Sequence, residues 1–167
     1  MSDGRLFGIV AVGLLAVYTL GTGAQRDSSP DADALAGSWT LVSYTRTAGG
    51  GNTIFPFGKD GFGRLIYQRN GTMALVLMRR DRTKSSRNWS NLTPEDSHAI
   101  IREFFAYSGT YVADSRNGTV THRVEACSNP DWVGVDQVRK IERLGRDRIV
   151  LRPAESPSSE VVWQREP

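Results

Sequence analysis

Cysteine and histidine are scarce in this chain. One cysteine, Cys127, and two histidines, His98 and His122, occur among its 167 residues. A single cysteine excludes an internal disulfide framework and a cysteine-based zinc cluster. Two histidines far apart in the sequence do not form a recognisable set of metal ligands. We therefore expect no metal site.

Common catalytic signatures are also missing. The sequence has no Gly-x-Ser-x-Gly, no Gly-rich phosphate loop ending in Lys-Ser/Thr, no His-Glu-x-x-His and no Cys-x-x-Cys. We expect no cofactor, and a binding protein is favoured over an enzyme. A cofactor-independent isomerase or cyclase stays open, because such an enzyme needs only a shaped apolar pocket and one or two acid/base groups.

Charge of one sign is not in large excess. The net charge is +3, and hydrophobic residues make up 39% of the chain. The one dense basic run, in a stretch rich in Ser, Thr and Asn, contains Arg79, Arg80, Arg82, Lys84 and Arg87. Such runs are typical of solvated loops, and a weak patch for anionic lipid or polymer is the alternative. We predict no nucleic-acid partner.

The first 24 residues have the layout of a leader. Residues 6–20 are uncharged and mostly apolar, Arg5 precedes them, and small residues follow up to Ala24. This pattern is typical of a secretory signal. An uncleaved membrane anchor is the alternative, since residues 6–24 approach the ~20 residues that span a bilayer. We expect an exported protein, periplasmic or extracellular, or a membrane-tethered one.

The rest of the chain divides into a polar tether, residues 25–34, and one folded domain, residues 35–167. Eight β-rich runs recur at spacings typical of an all-β barrel or sandwich. One helix is predicted between the third and fourth strands, over Pro94–Phe104, with Thr93 as its N-cap. Its apolar stripe is Ile100, Ile101, Phe104 and Phe105. The predicted strands are Ser38–Tyr44, Gly63–Gln68, Thr72–Arg79, Tyr107–Asp114, Thr119–Ala126, Gln137–Leu144, Arg148–Arg152 and Val161–Arg165.

Two turns predict strand register. Asn70-Gly71, read as part of a three-residue loop with a left-handed glycine, pairs Gln68 with Thr72. A four-residue loop at 115–118 pairs Asp114 with Thr119 and sets Tyr111 opposite His122. His122 then shares an inward face with Val120, Val124 and Ala126, since alternate residues of a strand point to the same side.

A series of short motifs carries a family resemblance. Gly37-Ser38-Trp39 in the first strand, with Arg165 near the end of the chain, resembles the lipocalin or calycin pattern, in which the arginine packs over the tryptophan and plugs the closed end. The whole series resembles the bacterial and fungal lipocalin-like domain family, from about Leu35 to Arg165. The other motifs are Leu41-Val42-Ser43, Pro56-Phe57-Gly58, Gly63-Arg64-Leu65-Ile66-Tyr67, Tyr107-Ser108-Gly109-Thr110-Tyr111, Thr119-Val120-Thr121-His122, Trp132-Val133-Gly134, Gln137-Val138-Arg139 and Val162-Trp163-Gln164-Arg165.

The resemblance implies an eight-stranded antiparallel barrel whose interior holds one small ligand. It implies structural roles for Gly37, Trp39, Trp163 and Arg165. The family pattern often has a second histidine after the first, but Arg123 stands there in this chain. A role that needs a histidine pair is therefore not expected.

Six side chains are candidates for ligand contact. His122 and Arg139 are polar groups on faces predicted to point inward, and a buried guanidinium needs a protein or ligand partner. Aromatic residues supply apolar wall and orienting hydroxyl groups. Each candidate also has a plain packing or pairing interpretation. The aromatic candidates are Tyr67, Tyr107, Tyr111 and Trp132.

Three functions therefore remain open. The first is an exported barrel that binds a small, mainly apolar or amphipathic molecule. The second is an isomerase or cyclase in the same cavity, with His122 and Tyr111 as acid/base groups. The third is a structural barrel filled by its own side chains. The cavity volume separates the third from the others, because a drug-sized site needs roughly 300 Å³.

Overall fold

The computed structural model describes residues 30–82, 89–156 and 158–167, with side chains described from residue 33 onward and not at residue 89. The leader, residues 25–29 of the tether, and Lys84 and Arg87 of the basic run lie outside these ranges. The elements are α1 Pro30–Leu35, β1 Gly37–Thr47, β2 Thr53–Ile54, β3 Phe62–Tyr67, β4 Thr72–Met78, α2 Pro94–Arg102, β5 Phe104–Asp114, β6 Thr119–Cys127, β7 Asp136–Arg143, β8 Arg148–Pro153 and β9 Ser159–Arg165.

Eight antiparallel strands close into a barrel. β1 and β3 to β9 pair in chain order, and β9 returns to pair with β1. Strand β1 closes the barrel, because its first residues pair with β3 and most of its length pairs with β9. The predicted fold is confirmed. The ninth strand, β2, is a two-residue addition at the far end of β1, so the helix lies between the fourth and fifth strands and not the third and fourth.

Both predicted hairpin registers are confirmed. The Gln68 amide donates to the Thr72 carbonyl at 2.9 Å, and Gly71 has φ +86°. In the second hairpin Asp114 pairs with Thr119, and Tyr111 pairs with His122. Turn chemistry thus sets which side chains of β3 to β6 enter the barrel.

A β-bulge in β6 corrects the predicted inward face. Gly109 pairs with Val124 and Ser108 with Ala126, so Glu125 is an extra residue. The close approach needs a glycine, because a Cβ at Gly109 would lie 2.0 Å from the Arg123 carbonyl oxygen. The extra residue reverses the alternation. Ala126 is exposed, and Cys127 packs against the core in its place.

The helix is shorter than predicted. Thr93 and Asp96 form a capping box at its start. It ends at Arg102 because the chain enters β5, where Phe104 pairs with Met78. The predicted apolar stripe therefore does not exist on one helix, and Ile101 is 68% exposed.

One end of the barrel is closed by the chain that precedes β1. A short helix, α1, occupies part of the predicted tether, and Leu35 at its end is buried. Leu35 joins the core inside the barrel with Trp39, Leu65, Val120 and Trp163. No helix among the described residues is long and apolar enough to span a bilayer.

Candidate functional site

A cavity of about 450 Å³ opens at the other end of the barrel. Its wall is mostly apolar and aromatic, and its polar members include two arginines and one glutamine. No carboxylate belongs to the lining formed by the described residues. The lining residues are Tyr44, Arg46, Pro56, Phe57, Leu75, Leu77, Phe105, Tyr107, His122, Trp132, Gln137, Arg139, Leu151, Pro153, Ser158, Ser159, Val161 and Trp163.

Two residues of this wall, Tyr107 and His122, form a hydrogen-bonded network with Tyr67, which does not line the cavity. The Tyr67 hydroxyl lies 2.6 Å from Nε2 of His122, and the Tyr107 hydroxyl lies 2.7 Å from Nδ1. β3, β5 and β6 supply one residue each, and the hairpin registers bring them together. His122 exposes none of its surface, and both ring nitrogens are engaged.

Burial controls the protonation of the three hydrogen-bonded side chains, Tyr67, His122 and Tyr107. Desolvation, followed by the positive charge of Arg139, lowers the pKa of His122 from 6.5 to about 3. Desolvation also raises the pKa of the Tyr67 and Tyr107 hydroxyls. All three groups are therefore uncharged at neutral pH.

Arg139 and Trp132 stand side by side at the cavity. The Arg139 guanidinium carbon lies 5.7 Å from the centre of the Trp132 ring. Arg139 donates to the Gln137 side-chain oxygen and to the Val138 carbonyl, each at 3.1 Å. The Trp132 ring also contacts the ring of Phe105, edge to face, at 5.1 Å.

The structure does not bring all the predicted contact residues to the cavity. Tyr67 and Tyr111 are buried beside one another, with ring centres 4.5 Å apart, and neither lines the cavity. The Tyr111 hydroxyl donates to the Gln68 carbonyl at 3.0 Å. The predicted acid/base pair of His122 and Tyr111 is thus not assembled, because the nitrogens of His122 face other hydroxyl groups.

The four residues with predicted structural roles lie in or near the closed part of the barrel. The Arg165 guanidinium carbon lies 4.1 Å from the centre of the Trp39 ring. Its nitrogens donate to the carbonyls of Ala36 and Ala34. Gly37 has φ +134°, and a Cβ there would lie 2.7 Å from Nη1 of Arg165. Trp163 is fully buried and borders the cavity, and its indole N–H has no hydrogen-bond partner among the residues that the structure describes.

Several lining residues were not predicted. A second register shift, between Leu41 and Ser43 in β1, leaves Val42 exposed and brings Tyr44 and Arg46 to the cavity. A prediction that assumes strict inward and outward alternation along a strand does not detect such a shift. Gln137 had a usable signal, because it alternates with Arg139 on β7.

Metal ions in proteins are held by sets of ligand side chains such as His, Cys, Asp and Glu. No group of three or more of these side chains gathers in the described ranges. His98 lies exposed on α2, in a different element from His122.

These features define a class of protein. A closed antiparallel barrel, sealed at one end and holding an apolar cavity at the other, is the architecture of small-molecule-binding barrels. The model of the lipocalin-like domain family matches residues 36–165, and the chain belongs to that family. Lipocalin-like barrels generally bind small hydrophobic ligands.

Two solved structures are similar over most of their length. One is an uncharacterized protein from Bacteroides eggerthii, 13% identical, with 79% of this chain and 99% of that chain covered and a TM-score of 0.42. The other is a redesigned β-barrel, also 13% identical, with 82% and 96% covered and a TM-score of 0.41. Likeness at this level carries no argument about function. No curated protein matches the chain.

Proposed function

We propose that this chain is an exported, non-enzymatic protein whose barrel holds one small, mainly apolar molecule with a carbonyl or anionic group. The observation that carries the proposal is the cavity. Its volume of about 450 Å³ exceeds the roughly 300 Å³ of a drug-sized site. This volume also argues against a barrel filled by its own side chains.

The polar groups of the wall favour a ligand with hydrogen-bond acceptors. Arg46 and Arg139 bring positive charge, and none of the described lining residues is a carboxylate that would balance it. The Gln137 side-chain oxygen accepts from Arg139. A carboxylate or carbonyl oxygen on the ligand would gain a charge-assisted hydrogen bond from the free guanidinium donors.

The same geometry favours binding over an isomerase or cyclase. A general acid or base must reach the proton that it transfers. His122 exposes no surface, and both of its nitrogens face buried tyrosine hydroxyls. Its low pKa also makes it a weak base at neutral pH.

Export rests on the leader pattern of residues 1–24. Expression in the native host should give a secreted or periplasmic form whose N-terminus lies near Gln25, as measured by N-terminal sequencing. A full-length form confined to the membrane fraction would support the anchor instead. A full-length form in the cytosol would refute export.

A matched set of three probes tests the ligand class. Isothermal titration measures binding of 2-naphthoate, 2-acetonaphthone and 2-ethylnaphthalene, which share a ring system and differ in the polar group. We expect R139Q to weaken 2-naphthoate binding roughly 10-fold, with little change for 2-ethylnaphthalene. R123Q is the control, because Arg123 is exposed on the outer face of the barrel.

A second pair of variants tests the place of binding. Leu75 lines the cavity and Ala74 is exposed on the same strand. We expect L75W to abolish binding of all three probes and A74W to leave it unchanged, with melting curves showing that both variants fold. Equal binding by the two variants would contradict a site inside the barrel.

A further inference from the structure

The hydrogen bonds between Tyr67, His122 and Tyr107 determine which ring nitrogen of His122 carries the proton. A neutral imidazole has one N–H donor and one unprotonated acceptor nitrogen. Only one of the two tyrosines therefore donates to the ring, and the other accepts from it. The accepting tyrosine keeps its own hydroxyl hydrogen for a different partner.

The two possible arrangements differ in where this spare hydrogen lies. If Tyr107 donates to Nδ1, the spare hydrogen belongs to Tyr67. Within the described ranges, Tyr67 has no hydrogen-bond partner other than His122, and it does not line the cavity. A buried hydroxyl donor without an acceptor is unfavourable.

The opposite arrangement has no such cost. Tyr67 then donates to Nε2, Nδ1–H donates to Tyr107, and the spare hydrogen lies on Tyr107. Tyr107 and His122 both line the cavity, whereas Tyr67 does not, so of the two hydroxyl groups only that of Tyr107 belongs to a residue that borders open space. Water or a bound molecule can accept there.

We infer that His122 carries its proton on Nδ1 and thereby turns the Tyr107 hydroxyl hydrogen toward the cavity, where it binds a ketone, ester or carboxylate oxygen of the ligand. The ligand part of this inference rests on the proposed function. His122 is a positioning residue in this arrangement, because it exposes no surface of its own. Tyr107 makes the contact.

The surroundings of Tyr107 fit such an acceptor. The Trp132 ring lies 6.0 Å from the Tyr107 ring, and the Arg139 guanidinium follows at 5.7 Å from Trp132. One wall therefore presents a neutral donor and a cationic donor with an aromatic surface between them. An amine ligand would meet the positive charge of Arg139 and would find no carboxylate among the described lining residues.

Long-range ¹H–¹⁵N NMR of the full chain, labelled at histidine, tests the position of the proton. The expected spectrum at pH 7 shows protonated Nδ1 and unprotonated Nε2 for His122. His98, which is exposed, is the internal reference. A spectrum with protonated Nε2 would overturn the inference, and this readout does not depend on any ligand.

The variant Y107F tests the donor. We expect 2-acetonaphthone to bind roughly 3- to 10-fold more weakly than to the unaltered chain, the range expected for loss of one hydrogen bond. Binding of 2-ethylnaphthalene should change less than about 2-fold, since it has no acceptor. A melting curve verifies that Y107F is folded.

Failure of the inference and failure of the proposed function give different results. If the unaltered chain binds none of the three probes, both the proposed function and the ligand role of Tyr107 are overturned. If it binds them and Y107F loses the ketone and the hydrocarbon equally, or loses neither, the role of Tyr107 alone is overturned.

Discussion

The two ends of the barrel each place an arginine against a tryptophan, and they differ in what else the arginine contacts. At the closed end, Arg165 lies 4.1 Å from the centre of the Trp39 ring and donates to two backbone carbonyls. At the open end, the Arg139 guanidinium lies 5.7 Å from the centre of the Trp132 ring. It donates to the Gln137 side chain and to the Val138 carbonyl. The first tryptophan is completely buried, and the second is half-buried. The arginine–tryptophan pair at the closed end is therefore part of the packed structure, and the pair at the open end is available for the recognition that the proposed function assigns to it.

Replacing Trp39 with Ala should have the largest effect on stability. The ring is fully buried, and its indole N–H donates to the Leu35 carbonyl at 2.9 Å. Loss of the ring and of this bond should lower the free energy of unfolding by about 3–5 kcal/mol. Urea denaturation measures the change. A loss below about 1 kcal/mol would contradict the structural role of the closed end.

Arg165→Met should have the next largest effect. It keeps most of the side-chain length but removes the hydrogen bonds to Ala34 and Ala36 and the contact of charge with ring. We expect a loss of about 2 kcal/mol by the same measurement. Arg148→Met is the control, since Arg148 is exposed on the adjacent strand. Equal losses in the two variants would show that the closed end does not depend on Arg165.

His122, between the two ends, should make stability depend on pH. Its pKa is about 3 when folded and near 6.5 when unfolded. Between these values the unfolded chain binds a proton that the folded chain does not, so stability falls as pH falls. Between pH 6.5 and 5 the unaltered chain should lose about 1–2 kcal/mol relative to H122Q.

The control for the pH experiment is H98Q. His98 is exposed, so this variant should keep the full pH dependence of the unaltered chain. Melting temperatures at pH 5 and 6.5 are sufficient. A pH dependence that disappears in H98Q and persists in H122Q would show that His122 is not the responsible group.

Trp132→Ala should have the smallest effect on stability and a clear effect on binding. The ring is half-buried and contacts Phe105, Tyr107 and Arg139. We expect a stability loss of about 1 kcal/mol or less and roughly 3- to 10-fold weaker binding of all three naphthalene probes. Unchanged affinity would indicate that the open end does not contact the ligand.

The sequence predicted the fold well because local signals and long-range pairing agree. The left-handed glycine at position 71 and the four-residue loop at 115–118 set the registers, and alternation then placed Leu65 and Val120 inside. The family resemblance extended this to a closed barrel. These features depend on short stretches of chain, which a sequence displays directly.

The site was harder to predict, because it depends on departures from regular strands. The extra residues Val42 and Glu125 change which side chains face inward. The neighbouring sequence contains no pattern from which these two bulges were predicted. The hydrogen-bond partners of His122 were also missed. Tyr111 is its neighbour in the ladder, yet Tyr67 and Tyr107 reach its nitrogens, since hydroxyl position depends on side-chain length and direction as well as register.

The single inserted residue at Glu125 has a practical consequence for comparing related proteins. In β6, the side chains at even positions face inward up to Val124, and after the inserted residue the inward side chain is at an odd position, Cys127. An ungapped alignment with a barrel that lacks this residue would match surface positions at the rim to interior ones. An alignment of family members therefore needs a one-residue gap at this point. Without the gap, residues that face the interior near the open end of the barrel will be mistaken for residues that face solvent.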